Sequence, residues 1–137
     1  MIAAQTHRDA RGALSVLTAG VDLPFAFDRC FWVHGAPVGA MRGGHAHRVQ
    51  HQALFCPLGQ LSVLIIDAAG ERTVVLDRPD QVIHLPPLTW SEETPLAENT
   101  SWVVLSSGRY DPADYLKTRV EWQEARLKAE GGRRKEC

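Results

Sequence analysis

The sequence predicts an all-β fold, a sandwich or barrel of short strands finished by one C-terminal α-helix. Short apolar runs are separated by turn residues along most of the chain, and almost nothing before Asp111 shows helical periodicity. At Asp111-Pro112-Ala113-Asp114 the character changes. Strands bury alternate residues whereas helices bury every third or fourth, so the missing helical period ahead of Asp111 decides the class.

Leu14 to Leu17 and Cys30 to His34 are the first candidate strands, followed by Gln52 to Pro57 and Gln60 to Asp67. Ala68-Ala69-Gly70 reads as a hairpin turn into Thr73 to Leu76, and Asp77-Arg78-Pro79-Asp80 as a loop before Gln81 to Leu85. Ser101 to Ser106 is the last strand. Leu61, Val63 and Ile65 alternate with Ser62, Leu64 and Ile66, a set that is itself mostly apolar. That strand is expected to be covered on both faces and to lie at the centre. Asp111 offers an N-cap, Pro112 a first helical position and Asp114 an acidic first turn, which predicts a helix from about Pro112 to about Glu130. Residues 131–137 have no apolar anchor and read as a disordered, solvated tail behind a single domain spanning 1–130.

A chain of 137 residues suits one domain with a real core. Its 45% hydrophobic and 23% charged residues are ordinary for a globular protein, and a net charge of -1 gives no general attraction to nucleic acid or anionic membrane. Any anionic substrate must therefore be held by local arginines. Met1 to Arg8 contains no basic region followed by an apolar run, and no stretch reaches the roughly 20 apolar residues needed to span a bilayer. A cytoplasmic location is expected. The three cysteines are odd in number and widely spaced, which argues against a disulfide framework; Cys30 and Cys56 read as small core residues and Cys137 as a tail residue.

Chemistry concentrates between Gly39 and Gly59. Gly39, five residues, His45-Ala46-His47, four residues, Gln52, six residues and Gly59 resemble in outline the first motif of the cupins, with Gln52 where metal-binding members usually carry Glu. On a strand, residues two apart share a face, so His45 and His47 project together while Ala46 faces away. A metal-holding cupin needs a further His near Asp80 to Ser91, and Ser91 stands near that place. Gln52 is neutral and Ser91 a poor ligand, so two good donors remain. His51 and His84 could substitute, but an extended chain turns His51 to the opposite face. No metal and no cofactor are therefore expected. Two neutral imidazoles suit proton transfer near pH 7 instead, and Arg42 just upstream can stabilise a developing oxyanion.

Met41-Arg42-Gly43-Gly44-His45-Ala46-His47-Arg48, followed by Gln52, resembles the Arg-Gly-x-His-Ala-His-Lys signature of the nucleotide-sugar 3,4-ketoisomerases, the WxcM-like cupins of deoxysugar biosynthesis. Arg11-Gly12-x-Leu14, Leu23-Pro24-Phe25 leading to Arg29, Gly59, Pro87-x-x-Trp90 and Tyr110-Asp111-x-x-Asp114-Tyr115 extend the likeness over roughly residues 11 to 120. It implies a cupin jelly-roll β-barrel and a metal-independent isomerase that moves the ketone of a dTDP-linked 4-keto-6-deoxy sugar from C4 to C3. It also implies a homodimer with exchanged N-terminal strands. His45 and His47 take the places of the catalytic pair, with Arg42 stabilising an enediolate and Gln52 bonding a sugar oxygen or orienting a histidine.

Trp32 and Trp90 are candidates for packing on the sugar or base, and Arg29 and Arg11 for the pyrophosphate. Tyr110, Asp111 and Tyr115 are expected to dock the C-terminal helix. Two positions depart from the family: Phe31-Trp32 stand where a Tyr is common, and Ser91 follows Trp90 where a larger polar residue is expected. Three other functions fit parts of the pattern, namely a deoxysugar-nucleotide epimerase, a metal-dependent cupin enzyme and a non-catalytic sugar-nucleotide-binding module.

Overall fold

Alternation along the strands builds two facing sheets. The computed structural model describes residues 1–136, with side chains through Gly132; Cys137 lies outside the described residues. The strands are β1 (Ile2–Ala3), β2 (Gln5–Asp9), β3 (Gly12–Val16), β4 (Arg29–Val33), β5 (Arg42–His47), β6 (Gln52–Leu58), β7 (Leu61–Asp67), β8 (Gly70–Leu76), β9 (Gln81–Leu85), β10 (Trp90–Pro95), β11 (Ser101–Ser106) and β12 (Tyr115–Leu116). One sheet runs β1-β9-β6-β11-β4 and the other β12-β5-β10-β7-β8, while among the described residues β2 and β3 pair only with each other. Every named pairing is antiparallel. The architecture is a jelly-roll sandwich of two ladders with one C-terminal helix, α1 (Arg119–Glu136).

The inward faces meet in an apolar core. Leu54 and Cys56 of β6, Ile83 and Leu85 of β9, and Trp102 and Val104 of β11 pack on Leu61, Val63 and Ile65 of β7. Burying side chains of this size contributes about 1.5–3 kcal/mol each, as an upper estimate. On the outward face of the first sheet, Ala53, Val82 and Leu105 are covered by Ala4, Leu23 and Phe25. Outside the second sheet, Ala46 and Trp90 are covered by Leu116 and Trp122.

Five expectations are corrected. The helix starts at Arg119 rather than Pro112, and it runs to Glu136 rather than fraying after Glu130. Asp111 does cap a turn, accepting from the Ala113 amide at 3.0 Å, but the turn is a single 3-10 element over Pro112–Asp114. It stops because Tyr115 and Leu116 are claimed by pairing with His47 and Ala46. Trp90–Pro95, which gave no strand signal, occupies the centre of the second sheet between β5 and β7, the place expected for the Leu61 strand. Cys30 is exposed rather than in the core, because on β4 the alternate residues Arg29, Phe31 and Val33 turn inward.

Gly59 is explained by close packing. It has φ +88°, and a Cβ there would run into the Thr100 backbone and side chain. Only glycine satisfies both conditions at the β6–β7 turn.

Candidate active site

One end of the interior is polar. The ladder pairs Ser106 with both Arg29 and Gln52, and pairs Ser91 with both His45 and Ile65. Directly opposed residues share a face, and Ile65 belongs to the inner core, so His45 and Ser91 point inward. His47 follows two residues later on the same face. The two imidazoles stand edge to face with centroids 5.1 Å apart, and Tyr115 lies against both at 5.0 and 4.6 Å. Ala46, between them, packs outward under the C-terminal segment, as the alternation predicts.

His47 is held from behind. Its Nδ1 lies 2.8 Å from Asp114 Oδ2, with both side chains buried. Asp114 Oδ1 accepts from the Val49 amide at 2.8 Å, and the Asp114 carbonyl accepts from the Arg48 amide at 2.8 Å. The His47 carbonyl in turn accepts from the Leu88 amide at 2.7 Å, while the Leu88 carbonyl takes the Trp122 indole N–H at 2.8 Å. Leu88 adopts the left-handed conformation at φ 65°, a strained choice for a branched residue that this double anchoring maintains. The bond to Asp114 fixes the tautomer with hydrogen on Nδ1, leaving Nε2 as a lone-pair base. Among the described residues that Nε2 is buried with no protein partner.

Burial lowers the pKa of His47, outweighing the opposite pull of Asp114, and Arg29 lowers it further. Burial and the neighbouring His47 push His45 down to about 4. Both rings are therefore neutral at physiological pH. Tyr115, expected to dock the helix, and Asp114, expected in its first turn, belong to this pair instead.

Arg29 completes the polar end. Its Nη2 donates to Gln50 Oε1 and to Ser106 Oγ, each at 3.3 Å, and the guanidinium lies 5.2 Å from the Phe31 ring and 5.7 Å from that of Tyr110. Gln50 also accepts from Ser106 Oγ at 2.7 Å and donates to the Arg109 carbonyl at 2.8 Å. Among the described residues Arg29 Nε and Gln52 Nε2 are buried without protein partners, like His47 Nε2. Buried polar atoms are normally paired, so three such atoms at one end of a core mark a place built for a polar ligand.

The structure does not bring every candidate here. Trp32 is 62% exposed on the outward side of β4 because the alternation that turns Phe31 in turns it out. Trp90 packs with Ala46, Leu116 and Trp122, its Nε1 donating to Glu92 at 2.8 Å and its ring stacked under Arg119. Arg11 lies at the tip of the β2–β3 hairpin, exposed and bonded to Asp9. Arg42 is exposed at the start of β5, across the ladder from Glu93. His51 turns away from the pair and stacks on His84, with its Nδ1 2.9 Å from His84 Nε2. Among the described residues, no three His, Cys, Asp or Glu side chains are grouped as metal ligands.

A family model described as FdtA: WxcM-like, C-terminal matches residues 1–126. The chain belongs to this family. It is 28% identical over 109 residues to TDP-4-oxo-6-deoxy-alpha-D-glucose-3,4-oxoisomerase of Aneurinibacillus thermoaerophilus, covering 80% of this chain and 78% of that one. Among solved structures it is similar to QdtA, a sugar 3,4-ketoisomerase from Thermoanaerobacterium thermosaccharolyticum in complex with TDP, with TM-score 0.86, 26% identity and 93% of each chain covered. It is also similar to the WlaRB TDP-quinovose 3,4-ketoisomerase of Campylobacter jejuni, with TM-score 0.83, 26% identity, and 88% of this chain and 93% of that one covered. The WxcM-like family model spans both sheets and the histidine strand.

Sequence reasoning missed Asp114 as the partner of His47, and missed Gln50 and Ser106. The signal for Asp114 was present in Tyr110-Asp111-x-x-Asp114-Tyr115, where the second acid was assigned to a helix that does not form there. Gln50 and Ser106 are ordinary polar residues until the β6–β11 register places them together.

Proposed function

We propose that this protein is a metal-independent 3,4-ketoisomerase acting on a dTDP-linked 4-keto-6-deoxyhexose. The observation that carries this is the neutral His45/His47 pair on one face of β5, with Asp114 fixing His47 so that its Nε2 faces the polar interior. The chemistry of the relatives supports it, including a His-to-Asn variant of QdtA in complex with TDP-4-keto-6-deoxyglucose.

In this reading His47 Nε2 removes the proton from C3. The ketone oxygen at C4 takes up the electron pair as an enediolate, and the resulting imidazolium is stabilised by Asp114. His45, neutral and without a carboxylate partner, passes a proton from the C3 oxygen to the C4 oxygen. The His47 imidazolium, its proton exchanged with solvent, then protonates C4 as the C3 ketone forms, so no proton is gained or lost overall. Arg29 supplies the fixed positive charge beside His47, Gln52 donates to a sugar oxygen, and Arg42 offers a cation at the solvent end of β5.

The chain works as a two-fold homodimer in this proposal. Support comes from the β2–β3 hairpin, which pairs with no other strand and leaves Leu14 exposed, a surface that a second copy can cover by exchanging N-terminal strands. A cytoplasmic location suits a nucleotide-sugar substrate, and no helix among the described residues is long and apolar enough to cross a membrane.

The test is incubation of EDTA-treated protein with dTDP-4-keto-6-deoxyglucose, following the sugar carbons by NMR. A 3-keto product at undiminished rate is expected. A ketone that stays at C4 while C3 or C5 inverts would replace the proposal with an epimerase, and activity restored only by added metal would overturn its metal independence.

A further inference from the structure

On the central strand β10, two residues from Ser91, the ladder partner of His45, sits a carboxyl that the mechanism above does not use. Glu93 is buried, and the Ser91 hydroxyl lies 3.2 Å from its Oε1. The carboxyl also packs against Gly43, where any Cβ would collide with it; Gly43 has φ +77° and leads into the histidine strand. Ser91 is itself buried and stands directly opposite His45 in the ladder. Glu93, Ser91 and His45 thus form a contiguous row along the inner face of β10 and β5.

We propose that Glu93 is a positioning residue that turns the Ser91 hydroxyl toward the sugar, making Ser91 a hydrogen-bond donor beside His45. The inference rests on the ketoisomerase reading. A hydroxyl has one hydrogen and a carboxylate can only accept, so the protonation of Glu93 decides where that hydrogen goes. A protonated Glu93 donates its own hydrogen to Ser91 Oγ and frees the Ser91 hydrogen to point at a substrate oxygen. An ionised Glu93 takes the Ser91 hydrogen for itself, and Ser91 is then only an acceptor.

The surroundings favour the protonated form. Burial pushes the Glu93 carboxyl up to about 7, and Glu92 raises it further, while the bond from Ser91 and the charge of Arg42 oppose the rise. From β5 the titratable groups near this row are Arg42 and His45, and from β10 Glu92. From β7 the opposing residues are Val63 and Ile65, which carry no charge. The facing sheet presents Phe31, Leu54, Trp102 and Val104 to the core, with Arg29 as its charged inward residue, acting on His47.

The test compares pH profiles of kcat/KM for wild type, Glu93→Gln and Ser91→Ala on dTDP-4-keto-6-deoxyglucose. Wild type is expected to fall by about five- to tenfold in all as Glu93 ionises around pH 7, levelling off near the Ser91→Ala value. Glutamine can donate to Ser91 at every pH, so Glu93→Gln should lose that alkaline limb. Ser91→Ala should lack the limb too and lie about five- to tenfold lower at pH 6.5, the value of one hydrogen bond. Wild-type turnover with Glu93→Gln following the same alkaline fall would overturn this inference alone. Absence of any wild-type turnover would overturn the ketoisomerase reading and this inference with it. If Glu93→Gln does not fold, carbon-13 NMR titration of glutamate-labelled wild type decides the matter. A β10-assigned carboxyl still protonated at pH 6 is required, and titration below pH 5 would overturn the proposal.

Discussion

Gln52 and Leu54 stand two residues apart on the same inward face of β6, yet their surroundings share almost nothing. Leu54 meets Ile83, Trp102 and Val104, all apolar and close-packed. Gln52 is level with Ser106 and Arg29, and its Nε2 is buried without a protein partner, like Arg29 Nε and His47 Nε2. One end of the sandwich is satisfied by its own side chains, and the other is not. The apolar end holds the two sheets together, while the polar end gives up packing in order to receive a ligand. The same strands serve both, so stability and chemistry should separate by position along a strand.

Substitutions that divide the two ends test this most sharply. His47→Asn keeps a donor toward Asp114 but removes the base, so kcat/KM should fall by about 10²- to 10⁴-fold while the denaturation midpoint moves little. Leu54→Ala should do the reverse. It should cost about 2–5 kcal/mol in denaturant unfolding, with turnover per folded molecule preserved. Asp114→Asn tests the link between the pair and the chain behind it. Losing the carboxylate that stabilises the imidazolium should lower kcat by about 10- to 100-fold, with a smaller change in KM.

A gentler probe of the polar end is the pH dependence of stability. His45 is depressed to about 4 when folded, so between about pH 6.5 and pH 4 the unfolded chain binds a proton that the folded chain refuses. Stability should therefore fall as pH drops through that window, with His47 and His84 acting in the same direction. Glu93 has the opposite sign. Raised to about 7, it holds its proton in the folded state after the unfolded chain has lost it, so its contribution is lost as pH rises from about 4.5 through about 7. Thermal melts of His45→Asn should show a flatter acid side, and those of Glu93→Gln a flatter neutral side. Parallel curves for wild type and both variants would remove the electrostatic contrast between the ends.

The apolar end was the more legible of the two. Gln81–Leu85 and Ser101–Ser106 emerged with their bounds unchanged, because each is a β-rich run closed off by turn chemistry. β10 was not legible, since Ser91-Glu92-Glu93 looks like a surface loop until burial of Glu93 shows otherwise. At the polar end the His-x-His spacing placed both rings together by strand alternation alone. Their support was hidden, because Asp114 reaches His47 across a separation of 67 residues. The true helix start did carry a local signal in Thr118-Arg119-Val120-Glu121. There Thr118 Oγ1 accepts from the Glu121 amide at 3.1 Å and the Glu121 carboxylate reaches back to the Lys117 amide at 3.4 Å. The proline at 112 offered a competing start, and only the pairing of Tyr115–Leu116 with β5 decides between them.

The central claim is that His47, fixed by Asp114, is the base that works on carbon. Its most direct test is turnover of dTDP-4-keto-6-deoxyglucose in deuterated buffer by wild type, His47→Asn and His45→Asn, with hydrogen at C3 and C4 followed by NMR. Wild type should lose the C3 hydrogen and carry solvent deuterium at C4 of the 3-keto product, His47→Asn should show neither, and His45→Asn should retain slow exchange at C3 with little product. Exchange at C3 that survives in His47→Asn and vanishes in His45→Asn would contradict the claim and pass the carbon proton to His45.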